Sequence, residues 1–236
     1  MNIHKGALYL IPTPLGDGDI NQVLPDYNHL IIMELDTFVV EELRTARRFL
    51  RKIGYTKDFE EVTFFSLNEH TQSEELTEIL KHTGDGKSVG LLSEAGCPAI
   101  ADPGASLVTI AHQAGIKVIP LTGPSSIILA LMASGLNGQQ FTFNGYLPVK
   151  LFERKQKLKE LERLVLKLSI TQIFIETPYR NQSMFDSILE VCNESTLLCI
   201  AINITMPDEI ILTKSIKEWR RFKFTLEKKP AVFLLG

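Results

Sequence analysis

Hydrophobic residues in the first half of the chain fall in short runs separated by longer charged stretches. "ALYLIP" (7–12), "TFVV" (37–40), "VTFF" (62–65), "SVGLL" (88–92) and "KVIP" (117–120) read as strands. Most of these runs are apolar at successive positions instead of alternating, so both faces are expected to be covered, as in parallel strands. "LRTARRFLRKI" (43–53) and "SEELTEILKHT" (73–83) read as helices between them, with Ser73 opening the second ahead of Glu74 to Glu78. This order predicts an α/β unit in which crossover helices join neighbouring strands.

The pattern changes near residue 121. "LTGPSSIILALMASGL" (121–136) predicts a small-residue helix that begins at a Gly-Pro and is apolar nearly all round, expected to be buried at a domain junction. "FTFNGYLP" (141–148), an amphipathic charged helix over 151–168, and strands in "TQIFIETPYR", "LLCIAI", "EIILTK" and "PAVFLLG" follow. Strands spaced this closely, with one or two long helices, predict a mixed sheet. The expected division is two α/β domains, 1–121 and 122–236, without internal repeats.

Composition narrows the function classes. With 44% hydrophobic and 22% charged residues the chain has no signature of disorder. A formal net charge of -3 supplies no overall basic field, so any contact with RNA needs a local patch. Of three basic clusters, 150–163 interleaves Glu153, Glu160 and Glu162 and reads as a solvated salt-bridged face, and 219–224 is short. The cluster over 44–52 holds no acid and is the better candidate for phosphate contact, alongside a purely structural reading. Three cysteines without a CxxC pair, a polar start and the lack of a long apolar run predict a reduced, cytoplasmic protein with no membrane span.

Familiar motifs fail. "GDGKS" (84–88) has Lys81 where a phosphate loop needs its first glycine and precedes a strand instead of following one, so it reads as a turn. "GDGD" (16–19) lacks the last glycine of a dinucleotide fingerprint. The five histidines show no ligand spacing, so no metal site is predicted, and no histidine is patterned to activate Cys97.

Five ordered motifs, "IPTPLGD", "SEAGCPAIADPG", "LTGPSS", "NGYLP" and "ETPYR", resemble the tetrapyrrole methylase superfamily of S-adenosylmethionine-dependent methyltransferases. The likeness is nearest to the branch that methylates a ribose 2′-oxygen of small-subunit ribosomal RNA, and it spans about Ala7 to Gly236. It implies a cofactor cleft between the two domains and a homodimer. It places S-adenosylmethionine at Pro14, Ala95, Gly96, Cys97, Ile100, Ser125, Ser126 and Glu176, where small residues let backbone groups approach a bulky ligand. The Cys97 position varies in such proteins, so its side chain need not matter.

The chain departs from that branch at "EELR" (41–44), "SLNEH" (66–70) and "TPYR" (177–180), and near Asn203. Glu42, Glu69 or His70 is the expected base and Arg44 the electrostatic partner, although Arg44 could equally hold the helix start through an ion pair with a glutamate. The acceptor is ribosomal RNA or, alternatively, a tetrapyrrole or other small molecule. A non-catalytic cofactor-binding module is a third reading.

Overall fold

The computed structural model describes His4, residues 6–68 and residues 70–236; Glu69 lies outside them. The chain forms two compact units that divide between Ser125 and Ser126.

The first unit runs β1 (Ala7–Ile11), α1 (Asp26–Glu34), β2 (Thr37–Val40), α2 (Leu43–Lys52), β3 (Thr63–Ser66), α3 (Ser73–Lys81), β4 (Val89–Leu92), α4 (Ala105–Gln113) and β5 (Lys117–Pro120). Its five strands are all parallel, in the order β3-β2-β4-β1-β5. Alternation along β1 explains the unbroken apolar runs. Ala7, Tyr9 and Ile11 pack in one cluster with Ile31, Ile32 and Leu50, whereas Leu8 packs in another with Leu76, Ile79 and Leu107. Each face of the sheet thus buries its own helix pair, and only the edge strands β3 and β5 are partly exposed.

Two of these helices, α1 and α4, went unannounced in the sequence because their apolar positions form no clean stripe. Ser73 is the first helical residue of α3, as expected, and Gln72 precedes it without a side-chain cap bond. "GDGKS" is a turn, with Gly86 at φ 72°.

The second unit comprises α5 (Ser126–Ser134), β6 (Phe141–Tyr146), α6 (Leu151–Leu168), β7 (Thr171–Glu176), α7 (Asn181–Val191), β8 (Leu197–Ile202), β9 (Ile210–Ser215), α8 (Ile216–Arg221) and β10 (Ala231–Leu235). Its sheet is mixed, in the order β6-β7-β10-β8-β9, with only β6 and β7 parallel. Helices α7 and α8 add to the expected pair; Ser215 and Glu218 start α8 with a reciprocal capping box.

Two expectations need correction. The small-residue helix begins at Ser126, after an irregular stretch over Leu121 to Ser125, and it is not buried all round: Ile128 and Met132 are 44% and 74% exposed. The charged helix α6 is not wholly a solvated face. Its Arg154 is buried and donates to Ser183 and Ser187, while buried Glu162 accepts from the Asn193 N–H and Thr196 hydroxyl, both at 2.6 Å.

Candidate functional site

In the first sheet the chain leaves β1 toward β2 and leaves β4 toward β5, on opposite sides. The loops after β1 and β4 therefore flank the point where strand order reverses, the place where open α/β sheets bind ligands. Here the two loops are joined by backbone. Thr13 and Gly96 exchange N–H···O bonds of 2.9 and 3.1 Å, and the Thr13 hydroxyl reaches the Ser93 carbonyl at 3.2 Å.

Small residues are required at these contacts. Gly96 has φ +82°, and a Cβ there would meet Leu15 at 3.2 Å and the Pro124 carbonyl at 3.4 Å. A Cβ on Gly123 would stand 2.2 Å from Pro12 Cγ. Three loops, at 12–17, 93–104 and 121–125, thus pack closely through their glycines, Gly96 against Leu15 and the Pro124 carbonyl and Gly123 against the Pro12 ring. Beyond Cys97 the chain holds Ala99 and Ala101 at φ 63° and 57°, a conformation that costs a non-glycine residue roughly 1 kcal/mol each.

A cavity of about 210 Å³ opens beside these loops, walled by Pro14, Thr45, Arg48, Glu94 and Ala95 among others. Pro14 and Ala95 thus meet at one hollow, and Gly96 is tied to the same loop. Cys97 is half-buried; its Sγ faces the Gly123 and Pro124 carbonyls at 4.0 and 3.5 Å. Burial raises its thiol above the ordinary range, so it stays protonated at neutral pH. Ile100 is 53% exposed. Ser125 closes the first unit, and Ser126 opens α5.

Glu176, at the end of β7 in the second unit, is buried. Its Oε1 accepts from the Thr177 N–H at 2.7 Å and from Arg180 at 2.6 and 2.9 Å, while buried Oε2 has no partner among the described residues. Such an atom is costly unless a donor reaches it.

Glu42 caps α2 by accepting from the Arg44 N–H at 3.1 Å, and its own N–H donates to Glu94 at 3.2 Å. The start of α2 is therefore held by a side-chain cap and not by the Arg44 ion pair that the charges suggested; a carboxylate two residues away reaches the free amide more directly. Thr45 Oγ1 lies 2.8 and 2.9 Å from the Glu94 carboxylate oxygens. His70 is exposed, its N–H donating to Asn68 at 2.8 Å. The expected role of Glu69 falls outside the described residues.

Asp102 was not legible as a special residue. Burial, followed by the nearby charges of Glu41 and Glu94, pushes its carboxyl up to about 7. Only folding gathers the three acids, which lie just beyond the ends of β2 and β4 and in the loop that follows β4.

Comparison with known proteins accords with this geometry. The chain is 36% identical over 205 residues to a ribosomal RNA small subunit methyltransferase I of Vibrio cholerae serotype O1, covering 86% of this chain and 67% of that protein. The same-named protein of Escherichia coli O157:H7 is 32% identical, with 88% and 68% covered. Among solved structures, the methyltransferase CobJ superposes with a TM-score of 0.63 at 17% identity, covering 98% of this chain and 94% of that one; this likeness shows the fold. The profile described as Tetrapyrrole (Corrin/Porphyrin) Methylases matches residues 8–219. With its parallel and mixed sheets and its glycine-dependent loops at the switch point, the chain belongs to the tetrapyrrole methylase family and is a methyltransferase.

Proposed function

We propose that this methyltransferase modifies a ribose 2′-hydroxyl of small-subunit ribosomal RNA, using S-adenosylmethionine, as a cytoplasmic homodimer. The observation that carries the acceptor is the 32–36% identity, over most of the chain, to proteins named for that RNA. The cofactor fits the residues present. In the first unit the short side chains at Ala95, Gly96 and Cys97 suit a close approach by a ligand beside the cavity that Pro14 and Ala95 wall; in the second unit, taken by itself, Glu176 Oε2 lacks a partner among the described residues. Pro14, Ile100 and Ser125 are the further residues of the first unit that would hold it. When bound, the cofactor supplies an electrophilic methyl group.

The protein's tasks are to orient the acceptor hydroxyl, exclude water and take its proton. Glu42 is committed to its cap, which leaves Asp102, whose carboxyl changes charge near neutrality, as the better acceptor of that proton. Arg44 and His70, the other groups expected to serve the reaction, are both exposed.

The test is transfer of labelled methyl from S-adenosylmethionine to separated RNA and small-molecule fractions of host cells lacking this gene. Label in small-subunit ribosomal RNA, resistant to alkaline cleavage at one nucleotide, supports the reading. Label confined to small molecules moves the acceptor to the alternative class. Light scattering of the purified chain checks the dimer.

A further inference from the structure

The five cations of α2, Arg44, Arg47, Arg48, Arg51 and Lys52, divide into two sets once the helix is folded. Arg47 and Arg51 are used internally. Arg47 lies over the Phe59 and Phe64 rings at 5.4 and 5.3 Å, and Arg51 lies over Phe59 at 3.9 Å while donating to the Tyr55 and Lys57 carbonyls at 2.7 and 3.0 Å. Lys52 donates to the Gly18 carbonyl at 3.0 Å and lies 3.9 Å from Asp17.

Arg44 and Arg48 differ. Both are exposed, and neither guanidinium has a hydrogen bond, ion pair or ring contact among the described residues. They stand four residues apart on one face, where like charges repel and destabilise a helix by about 0.2–0.5 kcal/mol. Arg48 also walls the 210 Å³ cavity at the switch point, together with Pro14 and Ala95 of the cofactor-side loops. Of the two carboxylates on that cavity, Glu94 is engaged by Thr45 and by the Glu42 N–H, and Asp17 lies 3.9 Å from Lys52. Two exposed guanidiniums without partners among the described residues, one of them on the cavity wall, suit an acceptor that brings its own negative charge, and phosphodiester oxygens match their planar donor fork.

We infer that Arg44 and Arg48 form a phosphate-binding face that seats the backbone of the RNA acceptor beside the cavity, an inference that rests on the ribosomal RNA reading above. The overall charge of -3 makes this local pair more telling, since the rest of the chain offers RNA no net attraction. The face fixes the register of the RNA and reads no base.

The experiment measures binding of the purified chain to unmodified small-subunit ribosomal RNA over a series of salt concentrations. Each lost contact to single-stranded RNA lowers the slope of log affinity against log salt by about 0.7, so R44Q/R48Q is expected to lower it by about 1.4. Arg48→Lys should keep the slope, because a point charge still displaces a counterion. Arg51→Gln should lower the melting temperature and leave the slope nearly intact. An unaltered melting temperature in R44Q/R48Q shows that the variant is folded. An unchanged slope in R44Q/R48Q, or an equal fall in Arg51→Gln, overturns the inference even where wild-type protein methylates the RNA. Wild-type protein that transfers no methyl to this RNA overturns the function proposed above, and the inference with it.

Discussion

Replacing Asp102 by Asn tests the acidic cluster directly, because it removes the charge and keeps a donor for Glu41. In the folded protein the Asp102 carboxyl titrates near 7 instead of 3.8, through burial and the charges of Glu41 and Glu94. The native state therefore holds a proton that the unfolded chain has released between those two values. Stability must fall as pH rises through this window, with no penalty below it and the full penalty above it. A shift of about three units corresponds to a ceiling of about 4 kcal/mol; Asp102 is only partly buried, so screening by water reduces the expected penalty to about 1–2 kcal/mol. Urea unfolding of both proteins at intervals from pH 4 to 8 is the assay. The variant should match wild type near pH 4 and exceed it by that amount at pH 8. Parallel stability profiles would refute the reasoning. The same substitution should abolish most turnover, a trade of activity for stability expected of a group held unfavourably at a site.

Further outcomes follow from the same geometry. Wild-type kcat/KM should rise with pH to a plateau above about 7, as Asp102 becomes able to accept a proton, and a flat profile between pH 6 and 8 would remove it as the base. Cys97→Ala should retain labelled methyl transfer within about twofold, since its thiol is protonated and faces carbonyls; loss of turnover with cofactor affinity intact would restore the thiol to the chemistry. Gly123→Ala must displace Pro12 and should weaken cofactor binding, read by calorimetry. Glu162→Ala strands a buried amide and hydroxyl and should cost about 2–4 kcal/mol in chemical denaturation.

Much of the architecture was legible in the chain. The runs at 7–12, 37–40 and 88–92 became strands buried on both faces, because consecutive apolar residues fit only a sheet covered twice. The glycines at 96 and 123 marked loops in which a side chain cannot be accommodated. Helices α1 and α4 lacked a readable stripe, since packing on a sheet tolerates an irregular apolar face.

The candidate site divides along the same line. Local signals such as five cations in one helix belong to neighbours in sequence and can be read there; the Glu42 cap is equally local, yet the sequence presented that carboxylate as a base. What those groups do depends on partners far along the chain. Only the tertiary structure brought Glu41, Glu94 and Asp102 within charge range, buried Arg154 and Glu162 from a helix that looked solvated, and occupied Arg47 and Arg51 with Phe59 while leaving the Arg44 and Arg48 guanidiniums without a partner among the described residues. The physical reason is that burial and Coulomb interactions follow distance in space, whereas hydrophobic period and turn chemistry follow distance along the backbone.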